Sequence, residues 1–273
     1  MTGGFAASGK KEEGRGKIEV LVGDLPVLQS RLAGEIESRA REAIAARGRF
    51  VIALPGGSVA KAFFPGLAQS AVDWSRTEFF WIDERAVPPG DPESNYALAS
   101  TLWLTPARVP SSRIHRLRGE DADLDSAAQI AAAELIAVAG NPPRLDLALI
   151  GVGEDGHIAS IFPGDARRPG HAWPAEVRRP GLAWPAEASG EGGQTRLVIP
   201  VYNSPKPPPR RLTLTMHVLS GAERVVVVAM GTSKAVAIKD GLNQEGVTPL
   251  AELLRRSQST LLLLDRDAYN TLQ

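Results

Sequence analysis

The sequence predicts an α/β fold in which a mostly parallel, Rossmann-like sheet carries helices on both faces. Three observations predict it: short apolar runs recur along the chain, segments with helical spacing lie between several of them, and no Gly/Pro-rich linker divides the chain. Near-continuous apolar strands that alternate with helices are typical of parallel sheets covered on both sides. We therefore expect a single α/β domain over 17–273, preceded by a disordered tail over 1–16.

Eight runs are predicted to be strands because they are short, apolar and often β-branched. They are KIEVLV (17–22), FVIAL (50–54), EFFWID (78–83), LDLALIG (145–151), RLVIPV (196–201), RLTLTM (211–216), RVVVVAM (224–230) and TLLLLD (260–265). Helices are predicted where apolar residues recur every three or four positions. One covers 25–47 and stops before Gly48, a second covers 125–139, and a third begins at Thr248 with Pro249 in its first turn.

The composition excludes several kinds of site. Lys+Arg and Asp+Glu both total 31, so no basic surplus favours nucleic acid. The absence of cysteine excludes disulfides, thiolate nucleophiles and metal–thiolate centres, and four histidines make a multi-histidine metal site unexpected. We predict no metal. Without a signal peptide or a long apolar run, we expect a cytoplasmic protein that binds neither nucleic acid nor membranes and is a monomer or weak homodimer.

One segment departs from the alternation of strands and helices. RRPGHAWPAE (167–176) is followed by RRPGLAWPAE (178–187), a tandem duplication within a predicted loop over 165–193. A duplicated surface loop is the simpler interpretation. The alternative is a lid, because the loop begins a few residues after His157 and carries Arg and Trp side chains that could cover a ligand.

The run FVIALPGGSVAKAFF (50–64) places a Pro-Gly-Gly-Ser turn between a strand and a helix. Gly56, Gly57 and Ser58 leave backbone N–H groups free to face an anion at the positive end of the helix, and the Ser58 hydroxyl could add to them. No Gly-Lys-Ser/Thr follows, so this is not a Walker loop. A plain tight turn is the alternative to a phosphate site.

A second motif, FFWIDERAVPPGDPESNYALA (79–99), ends an apolar strand with Asp83, Glu84 and Arg85. Open α/β sheets bind ligands at the carboxyl ends of their strands. Side chains alternate along a strand, so Asp83 and Arg85 are predicted to share one face. An acid and a base at that position suit a polar ligand, whereas three solvated charges are the simpler alternative.

The third motif, LDLALIGVGEDGHIASIFPG (145–164), contains G-x-G-x-x-G at 151–156. A dinucleotide site is rejected because the fingerprint normally opens the first βαβ unit, whereas this one lies past mid-chain and Pro163 shortens any following helix. We interpret the glycines as allowing the backbone to approach a small ligand while Asp155 and His157 are presented to it.

The fourth motif, RVVVVAMGTSKAVAIKDGL (224–242), runs from a buried strand through Gly231 and Lys234 into a helix. An ammonium beside hydroxyls and amides at a helix start is a phosphate arrangement, and a capping turn with a surface lysine is the alternative. All four motifs follow predicted strands, so they are expected to meet at one edge of the sheet.

In this order and spacing the motifs resemble the 6-phosphogluconolactonases, a family related to the glucosamine-6-phosphate deaminases. The resemblance covers about 18–268 and includes PKPPPRRLTLT (205–215). It implies a Rossmann-like sheet, no cofactor, and a small sugar-phosphate lactone as the partner. The implied reaction is hydrolysis of 6-phosphoglucono-δ-lactone to 6-phosphogluconate in the oxidative pentose phosphate pathway.

The resemblance also implies roles for particular residues. His157 matches the catalytic base, and Arg85, Lys234 and Arg211 match phosphate or substrate contacts. Arg210 is the alternative to Arg211, which is preferred because it directly precedes LTLT. The turn formed by Gly56, Gly57 and Ser58 matches the segment beside the ligand.

The chemistry of the residues agrees with this activity. An imidazole, whose pKa is ordinarily about 6.5, can take a proton from water at neutral pH and return it to the departing ring oxygen. Backbone N–H groups of the glycine turns are expected to stabilise the oxyanion, and a remotely bound phosphate fixes the lactone. Asp83 and Asp155 could each hold a sugar hydroxyl or orient His157, and the sequence leaves this open.

Two other activities fit this sequence less well. A glucosamine-6-phosphate deaminase needs a further carboxylate and usually continues past the histidine with Asn-Glu-Pro, whereas ASIFPG (159–164) has no carboxylate. A sugar-phosphate sensor would carry a DNA-binding segment, for which the 16-residue tail is too short, and would not need His157.

Overall fold

The computed structural model describes residues 16–164 and 196–269. The predicted N-terminal tail, apart from Gly16, and the predicted repeat loop over 165–193 lie outside these residues. Both therefore stay predictions.

A six-stranded parallel sheet forms the centre of the domain. Its strands are β1 (Lys17–Val22), β2 (Phe50–Leu54), β3 (Thr77–Trp81), β5 (Leu147–Gly151), β8 (Val225–Ala229) and β9 (Ser259–Leu264). They lie in the order β1-β9-β8-β5-β2-β3, and each neighbouring pair is parallel. Every residue of β2, β3 and β8 is buried, so both faces of these strands are covered. The predicted mostly parallel fold is confirmed.

Helices connect the strands, and the three that the apolar spacing predicts, over 25–47, over 125–139 and from Thr248, are all present. They are α1 (Leu25–Arg47), α2 (Gly57–Leu67), α3 (Asn95–Ala99), α4 (Leu124–Ala139), α5 (Met216–Ser220), α6 (Ala235–Leu242), α7 (Pro249–Arg256) and α8 (Arg266–Tyr269). Helix α1 ends at Gly48, whose φ of 77° is left-handed, and Thr248 caps α7 as predicted. Within 16–164 and 196–269, no helix is long and apolar enough to span a membrane.

A second, three-stranded sheet differs from the prediction. It consists of β4 (Asp83–Arg85), β6 (Val198–Val201) and β7 (Arg211–Leu214), in the antiparallel order β4-β7-β6. The run EFFWID was expected to continue as one strand to Asp83, but the chain passes from β3 to β4 at Ile82. The apolar pattern of short strands does not show whether the neighbouring strand is parallel or antiparallel. The sequence therefore could not assign these strands to two separate sheets.

The residue Ile82 joins the two sheets by backbone hydrogen bonds. Its N–H donates to the carbonyl of Leu54 in β2, and its own carbonyl accepts from the N–H of Leu214 in β7. The small sheet thereby starts at the carboxyl edge of the parallel sheet, where the four sequence motifs were expected to meet.

Candidate active site

A pocket at this edge brings together eight of the nine predicted site residues. They are Gly56, Gly57, Ser58, Asp83, Arg85, His157, Arg211 and Lys234. The ninth, Asp155, directly contacts His157. The turns after β2, β5 and β8 supply five of the eight, and the small sheet supplies Asp83, Arg85 and Arg211.

His157 and Asp155 form a hydrogen-bonded pair. The Nδ1 atom of His157 lies 2.5 Å from Oδ1 of Asp155, and the same oxygen accepts the backbone N–H of His157 at 3.3 Å. The imidazole packs on Phe162 with 4.6 Å between ring centres, and its side chain is 17% exposed. A neutral imidazole that donates its Nδ1–H to a carboxylate keeps its lone pair on Nε2, which suits a general base.

The surroundings favour the basic form of this imidazole. Burial lowers the pKa of His157 below its ordinary value of 6.5, and the Asp155 carboxylate opposes that shift without cancelling it. Burial works to raise the pKa of Asp155, but its hydrogen bonds and charge contact with His157 outweigh burial and lower it. At neutral pH the pair therefore consists of a neutral imidazole and an ionised carboxylate.

Two glycines of the third motif leave room for the His157–Asp155 pair and for the turn that carries it. A Cβ atom at Gly153 would lie 2.0 Å from Nδ1 of His157, and one at Gly156, whose φ is 79°, would strike Thr248. The Gly153 N–H donates to the carbonyl of His157, and the Gly156 N–H donates to that of Gly153. Both amides are used in hydrogen bonds within the turn. This differs from the expectation that the amides of this glycine turn would stabilise the oxyanion.

The first turn of α2 faces the pocket through Gly56, Gly57 and Ser58. Gly56 stands at the N-cap and provides no side-chain cap, and a Cβ there would lie 1.7 Å from Oδ1 of Asn95. Gly57 adopts a φ of 65°, the left-handed region that favours glycine. The positive end of an eleven-residue helix thus lies at the pocket, as an anion site requires.

Asp83 connects three elements rather than hydrogen-bonding to His157. Its carboxylate accepts from the Ser160 hydroxyl at 2.6 Å and from the Asn95 amide at 3.2 Å, and lies 3.8 Å from Nη1 of Arg211. Both Asp83 and Ser160 are buried. Of the two carboxylates that could orient His157, Asp155 is the one in contact with it.

The side chains that follow Asp83 alternate between the two faces of the strand, as predicted. Arg85 shares the pocket face with Asp83, and its Nη1 donates to the carbonyl of Glu93 at 2.6 Å. Glu84 faces the other way, is buried, and accepts from the backbone N–H groups of Asn95 and Tyr96, both at 2.8 Å. Its carboxylate therefore anchors the start of α3.

Arg211 and Arg210 take different positions. Arg211 is buried and lines the pocket, whereas Arg210 donates to the carbonyl of Ala122 and lies over the ring of Tyr202. Burial lowers the pKa of Arg211, and the charge of Asp83 opposes this. The choice of Arg211 over Arg210 as the pocket residue agrees with its side-chain position.

Two polar side chains of the pocket, those of Asn95 and Lys206, were missed by the site predictions. Both lie within motifs that carried the resemblance, but no strand end or glycine turn marks either one. Among the residues that the structure describes, four cationic side chains, Lys206 included, and one carboxylate, Asp83, line the pocket. A neutral chain thus concentrates positive charge at one place, which suits a phosphorylated ligand.

Comparison with known proteins identifies the family of this chain. Residues 24–262 match the family model described as glucosamine-6-phosphate isomerases/6-phosphogluconolactonase. The 6-phosphogluconolactonase of Mycobacterium tuberculosis is 36% identical over 251 residues, covering 87% of this chain and 90% of that protein. The 6-phosphogluconolactonase of Streptomyces coelicolor is 33% identical over 264 residues, covering 91% of this chain and 92% of that protein.

The fold is shared with solved structures as well. A 6-phosphogluconolactonase from Trypanosoma brucei has a TM-score of 0.75 at 23% identity, covering 96% of this chain and 100% of that one. At this identity the likeness concerns the fold alone. The family match spans most of the chain and the two bacterial relatives are each more than 30% identical. The chain belongs to the family of glucosamine-6-phosphate isomerases and 6-phosphogluconolactonases.

Proposed function

We propose that this protein is a 6-phosphogluconolactonase that hydrolyses 6-phospho-D-glucono-1,5-lactone to 6-phospho-D-gluconate, with His157 as the general base. The observation that carries the proposal is the His157–Asp155 pair, held within a pocket that four cationic side chains line. The bacterial relatives named 6-phosphogluconolactonase support the same reaction. The product would enter the oxidative pentose phosphate pathway.

The reaction begins with water at the lactone carbonyl. Nε2 of His157 accepts a proton from that water as its oxygen bonds to C1, and the carbonyl electron pair moves onto oxygen. When the tetrahedral intermediate collapses, the bond between C1 and the ring oxygen breaks. The imidazolium then gives its proton to the departing ring oxygen, which becomes a hydroxyl, and the product carboxylic acid ionises.

Asp155 orients the base in this mechanism. A carboxylate on Nδ1 fixes the imidazole tautomer that presents Nε2 to the pocket and stabilises the imidazolium formed during the reaction. Its lowered pKa keeps Asp155 ionised at the pH at which His157 is neutral. Asp83, with its contacts to Ser160, Asn95 and Arg211, maintains the pocket wall.

The phosphate binds where cations and a helix start coincide. Lys234 follows β8, Arg85 projects from β4, and the first turn of α2 contributes backbone amides and the Ser58 hydroxyl. A phosphate held by these groups positions the lactone against His157, and this fixed geometry lowers the activation free energy.

The direct test follows acid release from freshly prepared 6-phosphogluconolactone, corrected for spontaneous hydrolysis. We expect the wild-type chain to accelerate it and His157→Ala to lose at least about 100-fold in kcat. His217→Ala, at an exposed position on α5, is the matched control and should retain wild-type activity. A His157→Ala variant as fast as wild type would remove that residue from the mechanism, and ammonia release from glucosamine 6-phosphate without lactone hydrolysis would indicate the deaminase reaction instead.

A further inference from the structure

Arg211 organises the loop that precedes it. Its Nε donates to the carbonyl of Pro208 at 3.0 Å, and its Nη2 donates to those of Lys206 and Pro207 at 3.1 and 2.9 Å. Its Nη1 donates to the hydroxyl of Ser160 at 3.4 Å. Each guanidinium nitrogen therefore has a protein acceptor, and the side chain holds three successive carbonyl groups of one loop.

This loop carries Lys206 into the pocket. The hydroxyl of Ser204 donates to the Lys206 carbonyl at 2.8 Å and accepts its N–H at 3.2 Å, so the backbone of Lys206 is fixed from two sides. Its side chain lines the pocket, and Nζ lies 3.6 Å from Oε1 of Glu154. Glu154 directly precedes Asp155 in the turn that holds His157.

The ammonium of Lys206 thus lies at the same end of the pocket as the base. Its charge lowers the pKa of both His157 and Asp155, which agrees with a position close to the pair. In the turn that holds His157, the backbone N–H groups of Gly153 and Gly156 both donate to carbonyls of the same turn. The oxyanion beside His157 therefore needs a donor other than these two amides, and the Lys206 side chain lines the same pocket.

We propose that Lys206 stabilises the oxyanion of the tetrahedral intermediate, and that Arg211 is the positioning residue that places it. This inference rests on the proposed lactonase activity. As water adds to C1, the negative charge that develops on the carbonyl oxygen is met by the Lys206 ammonium, and it returns to the C1–O bond when the ring oxygen departs. Arg85 and Lys234 keep the phosphate-binding role of the proposed function.

The test compares Lys206→Met with wild type on two substrates, 6-phosphogluconolactone and unphosphorylated δ-gluconolactone. A group that acts on the oxyanion serves both, so we expect kcat/KM to fall by about 100-fold or more on each, mainly through kcat. Lys206→Arg keeps the charge and should recover part of the rate. Lys239→Met, on the exposed side of α6, is the matched control and should leave both rates unchanged.

A second readout is the pH profile of kcat/KM on the unphosphorylated lactone. Removing the cation beside His157 raises the pKa of the imidazole, so the acidic limb should move to higher pH in Lys206→Met. A lysine whose ammonium lies away from the imidazole would not move it.

Three results would overturn the proposal. They are an unchanged rate, an unmoved acidic limb, and a loss confined to the phosphorylated lactone, which would make Lys206 a phosphate ligand. Wild-type protein without lactonase activity would instead contradict the proposed function itself, so the two failures are distinguishable.

Discussion

The Nδ1 atom of His157 lies 2.5 Å from Oδ1 of Asp155, and the two residues are separated by Gly156 alone. A base and its orienting carboxylate two positions apart share one backbone turn, so their geometry depends on that turn rather than on the packing of distant elements.

Asp155→Asn should reduce kcat for 6-phosphogluconolactone by about 100-fold or more while KM changes little. The amide can accept from Nδ1–H only through its oxygen and carries no charge to stabilise the imidazolium, so the base loses its fixed tautomer. Steady-state acid release measures the loss. Asp267→Asn, at an exposed position in α8, makes the same chemical change away from the pocket and should match wild type.

The pH dependence should show an acidic limb below the ordinary histidine range. Burial lowers the pKa of His157, so the imidazole stays neutral and active until the pH falls below 6.5, and kcat/KM then declines as it is protonated. Unphosphorylated δ-gluconolactone is the substrate of choice, because a phosphate group itself titrates at about pH 6. A limb centred above pH 7 would contradict the desolvated environment.

Lys234→Met should weaken binding of the phosphorylated lactone specifically. We expect KM for 6-phosphogluconolactone to rise by about tenfold or more, since a charge-assisted contact contributes about 1.5–3 kcal/mol, and the value for δ-gluconolactone to stay within about twofold. Measurements at two salt concentrations check the electrostatic origin. Equal losses on both substrates would argue against a phosphate contact.

Gly153→Ala should abolish most activity with little loss of fold. The added methyl group would lie 2.0 Å from Nδ1 of His157 and 2.6 Å from Oδ1 of Asp155, so one of the two side chains must leave its position. The matched change, Gly34→Ala in α1, meets open space and should raise the free energy of unfolding by about 0.5–1 kcal/mol. Activity and thermal unfolding of both variants provide the comparison.

Arg211→Lys should slow hydrolysis of the phosphorylated and unphosphorylated lactones to similar extents. The guanidinium spreads its donors over a planar fork of nitrogens that reaches the carbonyls of Lys206, Pro207 and Pro208. A lysine ammonium cannot reproduce that fork, so the loop and the Lys206 side chain lose their position. Arg210→Lys, whose parent side chain contacts Ala122 and Tyr202, is the neighbouring control. If only the phosphorylated substrate suffered, Arg211 would be the phosphate contact that the family resemblance implies.

The fold was largely predictable because strands such as β2, β3 and β8 are buried on both faces, and because Gly48 marks the end of α1 and Thr248 the start of α7. The small antiparallel sheet was not. A break of one residue at Ile82 leaves no gap in the apolar pattern, and Asp83 to Arg85 read as a charged strand end rather than as a strand. Their partner strand, β7, lies more than 120 residues away in the chain.

The site was predictable where a glycine turn or a strand end brings a functional group to the sheet edge, as at Ser58, His157 and Lys234. Lys206 was missed because it stands among prolines in a connector, where spacing predicts only a rigid loop. Its place in the pocket depends on the carbonyl contacts of Arg211, which are contacts in space that no local pattern reveals.

Because the chain passes from one sheet to the other at Ile82, the pocket lies at the boundary between the two sheets. His157 stands on the turn after a strand of the large sheet, whereas Arg85 belongs to the small one. A ligand that contacts both His157 and Arg85 links the two sheets. Any ligand that binds only the folded chain adds RT ln(1 + [L]/Kd) to its stability, about 2.7 kcal/mol at a hundredfold excess over Kd. The product 6-phosphogluconate should therefore slow local opening at this boundary more than at the outer strand β1. Slower hydrogen exchange of the Ile82 and Leu214 amides on adding the product would show it.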